Sequence, residues 1–161
     1  MPSQNGNQGS RWVLWAVGFL GLCIFAFAFL QPAVRAGEGT SVIVFPGWKC
    51  ASIALTETVA LFGKSSSGPP SFEVVLVAMS GWINPLVLLL FLSSFWRVLL
   101  VLRRILAVLV LLCMAATWTF FHMQKVTPLV GHFLWIAGAL LVLVPAVIGG
   151  QPKSAGRDTA T

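Results

Sequence analysis

His122 and His132 are the side chains in this sequence best suited to holding a metal or cofactor. Neutral imidazole nitrogens bind metals, and a facing pair can supply both axial positions of a haem. Both histidines sit at the ends of neighbouring apolar runs, where they could face each other. Two ligands are too few to close a metal site, however, and a solvated pair at a membrane interface is the simpler expectation. Glu57 and Glu73 would add carboxylates only if the segment between them folds back. Cys23, Cys50 and Cys113 are odd in number and scattered, so they form no disulfide framework. Cys23 and Cys113 read as small packing residues, which leaves Cys50 as the one candidate reactive thiol. No catalytic grouping, no metal ligand set and no cofactor site is assigned.

Asn84 is the other informative polar residue, because it falls inside a long apolar run at Ser80-Gly81-Trp82-Ile83-Asn84-Pro85. Pro85 lacks an N–H and crowds the carbonyl of Gly81, so a kink is expected there, with Gly81 giving it room. In a medium without water, that carbonyl needs a donor from the Asn84 amide or from a tryptophan indole. A polar amide at this depth is either a structural hydrogen-bonding group or part of a wet path. Trp82 is expected to pack against the kink.

The elements that must position these residues are apolar runs. The chain has 161 residues, 58% hydrophobic and only 9% charged, which lies far from soluble averages. A spanning helix needs about 20 apolar residues. The reading that follows is an all-α integral membrane protein, a four-transmembrane-helix bundle with spans at 12–30, 72–96, 105–121 and 129–148. A signal peptide cleaved after residue 36 is the alternative for the first span, whose apolar stretch is longer than an ordinary signal core. Residues 1–11 are polar and expected to be disordered, and 149–161 form a polar tail. Residues 31–71 form the one sizeable loop. Within it Val42–Phe45 suits a short strand or interfacial segment, and Cys50–Phe62 suits a helix lying in the interface plane. A short loop, 122–128, joins the last two spans. Gly131 and Gly138 fall on nearly one face of the fourth, where a neighbouring helix can come close.

The net charge of +6 would point to nucleic acid in a soluble domain. Here the basic residues flank apolar runs, and orientation in a bilayer explains them better. Arg97, Arg103 and Arg104 crowd the 97–104 turn and act as topology signals that could also touch anionic headgroups. Counting basic residues on alternate sides places both termini in the cytoplasm of an inner membrane and the 31–71 loop outside.

Three short motifs occur in order: Pro46-Gly47-Trp48, Trp82-Ile83-Asn84-Pro85-Leu86 and Gly131-His132-Phe133-Leu134-Trp135. Together they make residues 45–148 resemble a loosely defined group of small, functionally uncharacterised bacterial inner-membrane proteins with four spans. His132 stands where that group more often has another aromatic. The resemblance implies a fold and a bacterial membrane setting, with no activity attached.

The expected function is therefore non-enzymatic: an accessory or interaction subunit whose partners are the lipid bilayer, other membrane proteins or further copies of itself. One alternative is a small oligomeric transporter or channel built around the Asn84-Pro85 kink. Another is a membrane redox or metal protein using His122 and His132.

Overall fold

The computed structural model describes residues 6–37, 42–63, 69–96 and 99–148. The expectations for residues 1–5, Arg97 and the 149–161 tail lie outside these. Helix α1 runs Gly6–Ala28, α2 Gly47–Gly63, α3 Phe72–Ser93, α4 Leu100–Met123 and α5 Val130–Ile148. Among the described residues, α3, α4 and α5 are each long and apolar enough to cross a membrane, whereas the apolar part of α1, Trp12–Ala28, is shorter. Large apolar side chains are exposed along these helices, among them Val101, Val108, Leu112 and Val147. Outward-facing apolar surface of this kind belongs against lipid.

The helix α1 begins at Gly6, so residues 6–11, expected to be disordered, form its first turns. Once the apolar run has nucleated a helix, each further residue adds a hydrogen bond at little cost. A second departure from the all-α expectation is a three-stranded antiparallel sheet in the order β2-β1-β3. Its strands are β1 Pro32–Ala36, β2 Ile43–Pro46 and β3 Thr127–Pro128. The register pairs Arg35 with Val44 on one side and with Thr127 on the other. The prolines stand at strand ends, where the missing N–H costs no internal ladder bond.

Helices α3 and α4 form a hairpin whose turn is fastened from inside. Arg103 is 5% exposed. Its Nε donates to the Ser93 carbonyl at 3.1 Å and its Nη2 to that of Trp96 at 2.6 Å. The Ser93 and Trp96 carbonyls, at and just beyond the end of α3, also accept the N–H groups of Trp96 and Leu99 at 3.2 and 3.3 Å, and the Arg103 cation adds a second donor to each where the helix end carries negative charge. Of the three arginines read as topology signals, Arg103 is thus turned inward to end α3, while Arg104 is exposed.

The two glycines of α5 meet the α1 arm. A Cβ on Gly138 would sit 2.7 Å from the Gly21 carbonyl oxygen, and one on Gly131 would sit 2.8 Å from that of Pro32. Gly18 faces Pro145, so the first and last helices run antiparallel in close contact. The interior between them and the hairpin is filled by Ile83, Val87, Leu90, Val110 and Val142, all fully buried.

Helix α2 packs against α3. The hydroxyl of Thr58 donates to the carbonyls of Ala54 and Ala78, at 2.8 and 3.1 Å. A Cβ on Gly81 would meet the Thr58 hydroxyl and the Ala54 carbonyl. These contacts lay α2 antiparallel along the first half of α3. Small residues on both sides permit that approach, and Gly81 serves it rather than giving room to a bend. The helix α3 continues through Pro85 without interruption. Trp82 is 46% exposed, away from the place expected for it, because Gly81 and Ile83 beside it occupy the buried face.

Candidate functional site

Where α2 leans on α3, it stands off from α4 and α5 and leaves a cavity of about 540 Å³ roofed by the sheet. Ligand cavities fall in the range of about 300–1,000 Å³. Its walls are apolar and aromatic, with Phe29, Phe45, Phe120 and Phe121 from three different segments. The polar groups reach it from helices whose backbones are fixed elsewhere. Glu73, Ser80 and Asn84 come from α3, Glu57 and Cys50 from α2, Thr117 from α4 and Gln124 from just beyond its end, and His132 with Trp135 from α5. Among the described residues, no lysine or arginine lines it.

The deep polar groups are organised around Trp135. Its indole Nε1 donates to the Asn84 Oδ1 at 3.1 Å. An indole N–H can only donate, so this bond fixes the orientation of the Asn84 amide and leaves its NH₂ as a donor. Asn84 is thus tied to α5 and does not serve the Gly81 carbonyl. The imidazole of His132 lies over Trp135, with centroids 5.4 Å apart and planes at 27°. Phe121 and Trp118 close on its other sides at 4.8 and 5.5 Å. His132 is 5% exposed, and its Nε2 has no hydrogen-bond partner among the described residues. A buried polar atom left unpaired costs roughly 1–3 kcal/mol, so an imidazole nitrogen sealed in this aromatic cluster calls for a reason.

Five residues from the three motifs line this one cavity: Gly47, Asn84, Gly131, His132 and Trp135. Gly47 opens α2 directly under the end of α1. Its N–H donates to the Gln31 carbonyl, that of Trp48 donates to Phe29, and a Cβ at Gly47 would sit 2.6 Å from the Ala28 carbonyl oxygen. Pro46, Gly81, Trp48 and Pro85 do not line the cavity, and Trp48 is largely exposed.

His122 is exposed and does not line the cavity, so the structure does not bring the two histidines into one site. Its neighbour Phe121 takes the inward place instead, one helical step of about 100° away. Among the described residues, no group of three or more His, Cys, Asp or Glu side chains could hold a metal ion. Cys50 meets the cavity, and burial pushes its thiol above the ordinary range, partly offset by a backbone hydrogen bond. That shift lowers its thiolate fraction near neutral pH and makes it a poor nucleophile.

No family model matches the chain, and comparison with curated proteins and with solved structures gives no match.

Proposed function

We propose that this chain is a four-span, non-enzymatic protein of the bacterial inner membrane, and that it binds a small, mostly apolar molecule in the cavity at its sheet end. The observation that carries this reading is the aromatic cavity between α2, α4 and α5, with Asn84, His132 and Trp135 from two helices in its lining. An apolar pocket with a few convergent polar groups is the usual form of a small-molecule site. The four-span arrangement rests on the antiparallel packing of α1 on α5, which gives the shorter apolar helix a place beside a long one. The bias of arginines toward the α3–α4 turn supports cytoplasmic termini, and the cavity then opens on the outer side. The bacterial setting rests on the resemblance carried by the three motifs.

An accessory role follows naturally, since a bound molecule near the outer surface can be handed to, or sensed with, a second membrane protein. The transport reading draws less support. Below Asn84 the interior is packed by Ile83, Val87, Leu90, Val110 and Val142, which leaves no path through a single chain in this state.

The test uses the protein in lipid nanodiscs and a neutral naphthylamine dye that brightens in apolar surroundings. Saturable binding above empty nanodiscs is expected, and Ala51→Trp, which fills the cavity from α2, should abolish it. Absence of a saturable component in the wild type, or equal binding by the filled variant, overturns the reading. Orientation is read in the same preparation of cells from a Ser66→Cys variant. Labelling by an impermeant maleimide in intact cells is expected, and labelling only after lysis reverses the topology.

A further inference from the structure

Resting on the binding role proposed above, we infer that the cavity takes a protonated amine carrying an apolar tail, with the ammonium held at Glu57 and Glu73. The charges around the cavity are sorted by side. The described residues include two acidic side chains, Glu57 and Glu73, and both line it. Arg35 stands between the lining residues Val34 and Ala36, Lys125 between Gln124 and Val126, and Lys49 beside Cys50, yet all three cations are exposed and none lines it. A charged head inside the cavity therefore meets carboxylates at contact and these cations only from outside. An anion would meet the same carboxylates as like charges, so the lining selects one sign.

The depth of Glu57 points to a partner as well. The Thr58 hydroxyl reaches the Ala78 carbonyl and Ala54 meets Gly81, so the antiparallel contact sets Glu57 level with Ala78 to Ser80. That level is about 9 Å along α3 from its start at Phe72, inside the second span. A carboxylate at such a depth is costly against lipid and is kept where it faces a cavity and meets a partner. Glu73 lies nearer the outer end of the same wall, about 7.5 Å before Ala78 along the axis. The hydroxyls of the lining have the matching sense. Ser80 donates its proton to the Val77 carbonyl at 2.7 Å, and the buried Thr117 donates to that of Cys113 at 3.0 Å. What both offer a ligand is an oxygen lone pair, as the carboxylates do, and an ammonium supplies the donors. The rings of Phe120 and Phe121 accept a cationic head or an apolar tail.

The experiment is displacement of the naphthylamine dye, at neutral pH, from protein in phosphatidylcholine nanodiscs by three probes with matched ten-carbon chains: decylammonium, decanol and decyl sulfate. Each probe is compared between the wild type and the double variant Glu57→Gln, Glu73→Gln in identical nanodiscs, so that its partition into lipid cancels. Both positions are exposed, and the amides keep the shape while removing the charge. The neutral dye should bind both proteins equally. The double variant should need about fivefold more decylammonium, as expected for the loss of two exposed ion pairs, with decanol unchanged and decyl sulfate more effective. In the wild type, added sodium chloride should raise the decylammonium midpoint and leave that of decanol in place. Equal decylammonium midpoints in the two proteins overturn the inference and leave the binding role standing. A loss for decanol as large as that for decylammonium overturns it too, since the substitutions would then act through the shape of the cavity. Failure of the dye to bind the wild type overturns both readings. The salt dependence decides the matter even if the variant is not recovered folded, because a decylammonium midpoint indifferent to salt rules out carboxylates as the holding groups.

Discussion

The two ends of this bundle treat a buried polar side chain in opposite ways. At the α3–α4 turn Arg103 is buried, and two of its nitrogens have carbonyl partners at 3.1 and 2.6 Å. At the sheet end His132 is equally buried, yet its Nε2 has none among the described residues. One polar group closes the structure, and the other is sealed without a partner in an aromatic cluster. The difference separates polarity kept for folding from polarity that folding alone does not explain, since a sequence selected only for stability would place an apolar side chain at position 132.

The most forceful way to break this comparison is Arg103→Leu. It removes the charged second donor from the Ser93 and Trp96 carbonyls, and a loss of about 2–3 kcal/mol is expected from the hydrogen bonds to a charged group. Thermal unfolding in detergent measures it, and a variant as stable as the wild type would mean that Arg103 fastens nothing. The middle case is Asn84→Ala, which leaves the Trp135 indole N–H unpaired. A cost on the order of 0.6–2 kcal/mol is expected. Trp135→Phe in that background should then cost less than it does alone, and additive losses in the cycle would show that the 3.1 Å bond contributes nothing. The smallest effect belongs to His132→Phe. With no hydrogen bond to lose, its stability should fall within about 0.5 kcal/mol of the wild type or above it. A loss as large as that of Arg103→Leu would place both groups in one class and dissolve the contrast.

Much of the scaffold was legible from residue types. The apolar runs from Phe72, Ile105 and Leu129 coincide with helices because a 3.6-residue turn in an apolar medium leaves the backbone no other way to satisfy itself. Asn84 announced itself by being polar at such a depth. The sheet was legible only at Ile43–Pro46, since β1 carries Pro32 and Arg35 with no alternation and β3 is just Thr127–Pro128. Such strands exist because of their partners. The position of α2 was hidden for a related reason: Ala54, Thr58 and Gly81 are unremarkable separately and meaningful only face to face. His132 was visible as a residue, but the pairing with His122 was not secured by sequence. Which of two adjacent positions, Phe121 or His122, turns inward depends on the rotation of α4 within the bundle. The cavity itself is a space left between elements, and no residue type encodes it.

The close approach of Gly21 to Gly138 joins α1 to a helix made much later, and this order has a consequence for biogenesis. Until α5 has been made, α1 has no partner for its small-residue face, and more than a hundred residues separate the two helices along the chain. The far wall of the cavity, carrying Gly131, His132 and Trp135, arrives with α5. A nascent chain that stops short of Val130 therefore has the α2 and α3 walls but no cavity, which forms only when α5 packs against α1.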